Sequence, residues 1–192
     1  MDVVLEHTLA TDEELAREAA REGSDGPAFS ALVERHRERV WRICYRLLGN
    51  EHDAQDAAQE VFVRLFLNRS RFEGRSKYAT WVHAIAVKTC LTLRRGRSRR
   101  VRHELEAASG QPRSGPAPGG GSVALDLYQM LDTLDEEDRA LMILKYAEGY
   151  TFEELAALFD LTPSACKMRV SRARDRLQQR FGDASQSAAG SV

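Results

Sequence analysis

The sequence predicts an all-α protein: two small helical domains joined by a flexible linker, the C-terminal one a helix-turn-helix. Three observations predict it. Apolar residues return at three- and four-residue steps through nearly every structured stretch, and no alternating run is long enough for a strand. One stretch, SGQPRSGPAPGGGS from Ser109 to Ser122, holds five Gly, three Pro and three Ser in fourteen residues, a composition with no core to bury. Near the end, only Asp160, Leu161 and Thr162 separate two helical patterns, the short joint of a helix-turn-helix.

The elements follow in order. Thr11 and Glu14 form a capping-box pattern ahead of a helix over Asp12 to Glu22, which Gly23 can end. A second helix runs from Pro27 or Ala28 to Leu48. Its stripe is Phe29, Leu32, Val33, Val40, Ile43, Cys44, Leu47 and Leu48, and Gly49 stops it. A third runs from after Asn50 to about Asn68 on Ala54, Ala57, Ala58, Val61, Phe62, Leu65 and Phe66. A fourth spans Ser76 to about Arg95, with Trp81, Val82, Ile85, Ala86, Thr89, Cys90 and Leu93 inward. It runs out into RRGRSRR. Beyond the linker come Asp126 to Thr133, Glu136 to Ala147, Thr151 to Phe159 and Pro163 to Phe181. Thr151 with Glu154 is a second capping box, and Pro163 takes the first helical position, where its missing N–H costs nothing. These patterns set the domain boundaries. An acidic N-terminal segment and helix occupies 1–25 and a helical domain 26–103. The linker occupies 104–125, the helix-turn-helix domain 126–181 and a polar tail 182–192.

The chain of 192 residues has a formal charge of −1, which hides a segregation. Residues 1–30 carry −6, residues 31–103 carry +10, residues 104–125 carry −1 and residues 126–192 carry −4. The cationic middle suits a polyanionic partner. The N-terminal residues lack a basic region and apolar core, so no secretory signal is expected. No apolar run reaches the roughly 18 residues a bilayer crossing needs, so no membrane insertion is expected. Cys44, Cys90 and Cys166 sit apart inside apolar patterns and read as buried, reduced thiols of a cytoplasmic protein.

Two cationic motifs and one acidic face stand out. With Cys166, Val170, Ala173 and Leu177 facing inward, Ser164, Lys167, Met168, Ser171 and Arg172 point outward near the start of the last helix. In a helix-turn-helix that end enters the major groove and reaches base edges. Arg169, Arg174, Arg176 and Arg180 lie further round or along and suit phosphates. The joint lacks a glycine, so Asp160 must take a left-handed or similar conformation. In RSRFEGRSKYATW, aromatic Phe72, Tyr78 and Trp81 alternate with bases, and Gly74 marks a loop. Aromatic rings in a cationic groove hold unpaired bases by stacking, worth roughly 1–3 kcal/mol per base. Asp53, Asp56 and Glu60, at i, i+3 and i+7, form an acidic face that would repel DNA.

Together the strings DAQDAAQEVF, RFEGRSKYATWVHAIA and LDTLDEEDRALMILKYAEGYTFEELAALFDLTPSACKMRVSRARDRL, in that order, resemble RNA polymerase sigma factors of the extracytoplasmic-function type over about residues 11–181. The resemblance implies a promoter-specificity subunit that binds core RNA polymerase and promoter DNA, with no cofactor, no metal and no catalytic residue. Asp53, Asp56, Gln59 and Glu60 would meet the clamp of the largest polymerase subunit. Phe72, Glu73, Gly74, Arg75, Ser76, Lys77 and Tyr78 would form the loop that takes a flipped base of the downstream (−10) element, and Lys88 would lie near the melting surface. Lys167, Met168, Ser171 and Arg172 would sit at base edges of the upstream (−35) element. The 22-residue linker, extending to about 70 Å, would thread the polymerase interior. An anti-sigma factor is a partner that the family implies and no residue here identifies. The chain departs from the family pattern at Lys88, where Asn is frequent, at Met168, where a small polar residue is common, and at Ser164-Ala165-Cys166, which replaces Gly-Thr-Val. A stand-alone helix-turn-helix regulator would leave residues 50–66 unexplained. The five histidines show no metal spacing, and no hydrolase or phosphate-loop string argues for an enzyme.

Overall fold

The computed structural model of the chain describes residues 9–22, 26–107 and 129–189, without the side chains of 101–107 and 182–189. The predicted acidic residues 1–8, the helix stop at Gly23, the linker from 108 onward, the helix start at Asp126 and the last three residues lie outside the described residues. All regular structure among the described residues is helical. The chain separates into two compact units, dividing between Cys90 and Leu91.

The N-terminal unit contains α1 (Asp12–Ala19), α2 (Pro27–Leu48), α3 (Glu51–Leu67), a 3₁₀ turn at Arg69–Arg71 and the first part of α4 (Tyr78–Ala107). Local chemistry sets these ends. The Thr11 hydroxyl accepts the Glu14 N–H at 3.2 Å while the Glu14 carboxylate accepts the Thr11 N–H at 2.8 Å. These bonds to Thr11 hold the Glu14 carboxyl below its usual range. Pro27 opens α2, and Gly49 closes it at φ 81°, a left-handed conformation that costs glycine little. Asn50 caps α3 by accepting the Asp53 N–H at 2.9 Å. The core is Leu15, Leu32, Val40, Ile43, Leu47, Val61, Leu65 and Val82, all at most 2% exposed. Truncating any of these leucines to alanine costs about 2–5 kcal/mol. Cys44 and Cys90 are buried and form no disulfide, and the same holds for Cys166 in the second unit.

The fourth predicted helix is where the outline changes. It begins at Tyr78 rather than Ser76 and continues through Gly96 to Ala107, taking in the first residues of the predicted linker. Arginine is a good helix former, and a single glycine costs about 1 kcal/mol against alanine, too little to stop a helix supported on both sides. Leu93, expected inward, is 40% exposed. Past Leu91 the helix belongs to the C-terminal unit, where Arg94 donates to Asp132 at 2.9 Å and to Glu136, and Arg95 donates to Glu137 at 2.6 Å.

The rest of the C-terminal unit holds a helical turn at 129–131, then α5 (Glu136–Tyr146), α6 (Phe152–Phe159) and α7 (Pro163–Ala189). Asp135 caps α5 by accepting the Glu137 and Asp138 N–H groups, and Thr151 with Glu154 completes the second capping box. Leu141, Leu144, Leu155, Leu158, Cys166, Val170 and Ala173 fill the core. Helix α7 extends past Phe181 into the predicted polar tail, where GDASQSAA holds no proline to end it. Asp160 ends α6 at φ 57°, ψ 47°, the left-handed conformation that a glycine-free joint requires. Asp160→Gly should therefore raise the melting temperature by a few degrees by relieving that backbone, and Asp160→Val should lower it. Thermal unfolding followed by circular dichroism checks both.

Candidate nucleic-acid interface

The start of α7 presents its polar side chains outward. Ser164, Lys167, Met168 and Arg172 are exposed, Met168 at 52%, and Ser171 is half-buried. Cys166, Val170 and Ala173 are turned into the core against α6 and α5. Burial raises the Cys166 thiol pKa against the opposing charge of Arg169. The Thr162 hydroxyl accepts the Ala165 N–H at 3.1 Å, which fixes where α7 begins. Lys167 and Arg172 project from a rigid helix with no acidic partner among the described residues. Among the described residues Arg174 pairs with its neighbour Asp175 alone, at 3.5 Å, with its side chain 61% exposed. Such an exposed pair is worth well under 1 kcal/mol and leaves the charge free for a phosphate.

Arg169 departs from the expected arrangement. Its guanidinium turns inward and is used up by three carboxylates of the α5 start. Nε donates to Asp138 at 2.7 Å, Nη1 to Glu137 at 2.8 Å, and Nη2 approaches Asp135 at 3.5 Å. Arg176 reaches Asp138 at 3.4 Å and Asp135 at 4.0 Å. Asp138 is only 5% exposed, so its carboxylate needs a counter-charge, and Arg169 supplies it. Burial, and then a hydrogen bond with Asp135, push Asp138 above the usual carboxylate range. Hydrogen bonding from Arg169 holds Glu137 below that range. Burial raises Asp135, but its bonds to Asp138 and the charge of Arg169 outweigh this and hold it low. Burial opposes the charge on Arg169, and its bonds to Glu137 and Asp138 outweigh that and raise its pKa. Arg169 is thus a clamp between α7 and α5, with a donor from each of its three nitrogens engaged by an acid of its own unit.

The second motif divides at its end. Glu73, Gly74, Arg75, Ser76 and Lys77 are exposed, Phe72 is half-buried and Tyr78 is 3% exposed. Tyr78 is not a loop residue: it opens α4, and its ring packs against Phe72 (5.1 Å between centroids), Trp81 (5.6 Å) and His36 (5.6 Å). Burial, and then the charge of Asp12, push the Tyr78 phenol well above its usual range, so it stays neutral. Its ring therefore forms the floor beneath the loop. Trp81, half-buried, lies on the same cluster, 5.6 Å from Phe72. Gly74 stands at φ 69° with open space where a Cβ would be, so any substitution there strains the backbone without a clash. Arg75 pairs with Glu73 at 2.8 Å, both well exposed. Lys88 is exposed two to three turns further along α4, on the helical face shared by Trp81 and Ile85.

On α3, Asp56, Gln59 and Glu60 are exposed, while Asp53 is half-buried beside its capping partner Asn50. His52 lies 3.2 Å from Asp56, and Arg64 donates to Glu60 at 2.6 Å. Next to them, between α2 and α3, runs an open groove of about 620 Å³. Val33, Trp41, Ala58 and Phe62 give it an apolar lining, and Glu34, Arg37, Gln55 and Gln59 a polar one. Trp41, stacked on Tyr45 at 5.2 Å, lies off the apolar stripe read from the sequence. A large half-buried aromatic outside the stripe was the available signal for this groove.

Comparison with known proteins accounts for both units. Residues 32–100 match the Sigma-70 region 2 family, and residues 124–177 match the Sigma-70, region 4 family. The chain is similar to the ECF RNA polymerase sigma factor SigW of Bacillus subtilis, at 30% identity over 173 residues, covering 83% of this chain and 91% of that one. It is similar to SigE, an ECF RNA polymerase sigma factor of Mycolicibacterium smegmatis, at 33% identity over 158 residues, covering 79% of this chain and 61% of that one. Among solved structures it resembles the sigma factor RpoE of Bartonella quintana in complex with the anti-sigma factor NepR, with TM-score 0.58, 25% identity and coverage of 79% and 94%. It shares its fold with CnrH, solved with the cytosolic domain of CnrY, at TM-score 0.60, 22% identity and coverage of 90% and 97%.

Proposed function

The chain belongs to the ECF RNA polymerase sigma factors, and from that premise we propose how its surfaces divide the work of promoter-directed initiation. It acts as a binding subunit of core RNA polymerase in the cytoplasm and contributes no catalytic group. Helix α7 enters the major groove of the upstream element. Lys167, Met168, Ser171 and Arg172 read base edges, and Ser164 and Arg174 hold the backbone. The exposed loop Glu73–Lys77, over the Phe72, Tyr78 and Trp81 floor, takes an unpaired base of the downstream element, and Lys88 attracts the displaced strand. Asp56, Gln59 and Glu60, beside the groove under Trp41, meet the polymerase clamp; Asp53 shapes the start of that face. Arg169 and Tyr78 support these surfaces from beneath and do not contact DNA. An anti-sigma factor would compete for the same faces.

One observation supports this reading above the others. At the start of α7 the unpaired cations face outward while the inward arginine is neutralised by acids of its own unit. That is the pattern of a docking surface rather than of a solvated helix. Gel filtration with core polymerase, followed by transcript start mapping, tests the proposal. Co-elution and starts sharing two upstream elements are expected. Duplex binding without co-elution would replace it with a stand-alone regulator. Asp56→Arg with Gln59→Arg should weaken co-elution about tenfold, because charge reversal at a docking face slows association and adds repulsion, while α7 still binds upstream DNA.

A further inference from the structure

The loop between α3 and α4 owes its shape to a helix that precedes the family match. The residue before helix α4 cannot cap it. Lys77 stands just before it, and a lysine side chain has donors only. The nearby Ser76 hydroxyl donates to the Lys77 carbonyl at 3.3 Å. The Tyr78 N–H is one of the first four amides that no helix can satisfy internally. It donates instead to Glu13 Oε1 at 3.0 Å, across 65 residues of sequence. The carboxylate also sits at the positive end of the α4 dipole.

The other end of the loop is tied to the same helix. Arg69 donates from Nε to the Ala19 carbonyl at 3.1 Å and from Nη2 to the Glu22 carbonyl at 3.3 Å. Its Nη1 donates to Phe66 O at 2.8 Å, and the guanidinium lies 4.2 Å from the centre of the Phe66 ring. Helix α1 is itself fixed to α2 through Asp12, which meets Arg35 at 2.8 Å and His36 at 2.9 Å. Between the two ties, residues 73–77 are all exposed. An exposed loop with fixed ends loses less freedom when it closes on a ligand than one whose ends must also be ordered.

We propose that α1 is a positioning brace for the base-capturing loop, with Glu13 fastening its C-terminal end at Tyr78 and Arg69 fastening its N-terminal end at Ala19 and Glu22. This rests on the reading above that residues 73–77 take an unpaired base. It adds a role for Glu13 and Arg69, of which Glu13 lies outside the residues matched to region 2. Glu13 acts as a hydrogen-bond acceptor, so glutamine, which keeps the acceptor oxygen, should substitute for it.

The test uses the full-length protein with core polymerase on a promoter carrying 2-aminopurine at the downstream element. Glu13→Ala and Arg69→Met should each slow the fluorescence rise that reports base unstacking by about tenfold. Glu13→Gln should stay within twofold of wild type, and capture of an already single-stranded downstream oligonucleotide should fall with Glu13→Ala as well. Hydrogen exchange of the free protein should show the Tyr78 amide losing protection in Glu13→Ala and keeping it in Glu13→Gln. Wild-type unstacking in Glu13→Ala, or a Glu13→Gln variant as slow as alanine, would overturn the brace. Arg75→Ala with Lys77→Ala separates the two ideas. If that loop variant melts promoters normally, the base-capture reading fails. If it melts poorly while Glu13→Ala and Arg69→Met melt normally, the brace alone fails.

Discussion

Replacing Arg169 with alanine should cost the C-terminal unit about 2–4 kcal/mol and lower its unfolding transition by on the order of 10 °C. The reason is the company Arg169 keeps. Among the described residues it is the one base that pairs with all three of Asp135, Glu137 and Asp138, and Asp138 is 5% exposed. Removing one partner of a buried pair leaves the other charge stranded, which costs more than the pair ever contributed. Arg169 keeps about a quarter of its side chain exposed, so the value falls below that of a fully buried pair. Arg176 would compensate little, since it approaches the same acids only at 3.4 and 4.0 Å. The control is Arg174→Ala, which should move the transition by less than about 0.5 kcal/mol.

The pH dependence of this deficit has a definite sign. Glu137 and Asp135 have folded pKa values below the ordinary range. Their contribution is present above the unfolded value, about 4, and is lost as pH falls through the folded value. Asp138, raised, contributes in the opposite sense: its stabilisation is complete below the unfolded value and is lost as pH rises through the folded one. At neutral pH all three carboxylates call on Arg169, so the gap between wild type and Arg169→Ala is widest there. It should narrow as pH drops below about 4 and the acids take up protons. Differential scanning calorimetry of both proteins from pH 7 to 3 measures it. A gap that stays constant over that range would mean Arg169 acts through packing alone.

The same residue marks the limit of what could be read from the chain. Caps and turns were legible because their chemistry is local: Thr11 with Glu14, Thr151 with Glu154, Gly49, and the left-handed Asp160 all stand where spacing placed them. The family and its two-part layout were legible from strings that occur together. Arg169 was assigned to phosphate because a base in a basic helix suggests one. Yet 166, 169, 170 and 173 follow i, i+3, i+4, i+7, so Arg169 borders the buried stripe, and the acid-rich Asp135 to Asp138 was its natural partner. Tyr78 was assigned to the loop because it is one of the aromatics that alternate with bases there and the family resemblance implied that place. Its burial depends on His36 and on the acceptor at Glu13, contacts that sequence distance hides. The length of α4 was underestimated because an arginine run reads as a helix end although arginine itself favours helix.

Lys167 and Arg172 should change which promoters are used, whereas Arg174 should change only how tightly any DNA is held. A good base-edge contact from a basic side chain discriminates by about 1–3 kcal/mol, or roughly ten- to a hundredfold. Lys167→Ala and Arg172→Ala should therefore flatten the preference at one or two base pairs of the upstream element by that factor and spare its other positions. Arg174→Ala, further along α7, should weaken all sequences equally and reduce the salt slope of binding by about one unit, the signature of one lost phosphate contact. Met168, 52% exposed between them, can meet only an apolar group. The thymine methyl is the one that the major groove offers, so Met168→Ser should lower the preference for thymine at its position. Arg169→Ala, assayed well below its unfolding transition, separates support from reading. A loosened α7 loses affinity for every sequence together, so that variant should resemble Arg174→Ala in its lack of preference but keep the wild-type salt slope. A randomised upstream element, selected by each variant in complex with core polymerase and sequenced, measures preference. Titration at several salt concentrations measures the slope. A selective change of base from Arg169→Ala, or a uniform loss from Lys167→Ala and Arg172→Ala, would reverse the roles of the two faces of α7.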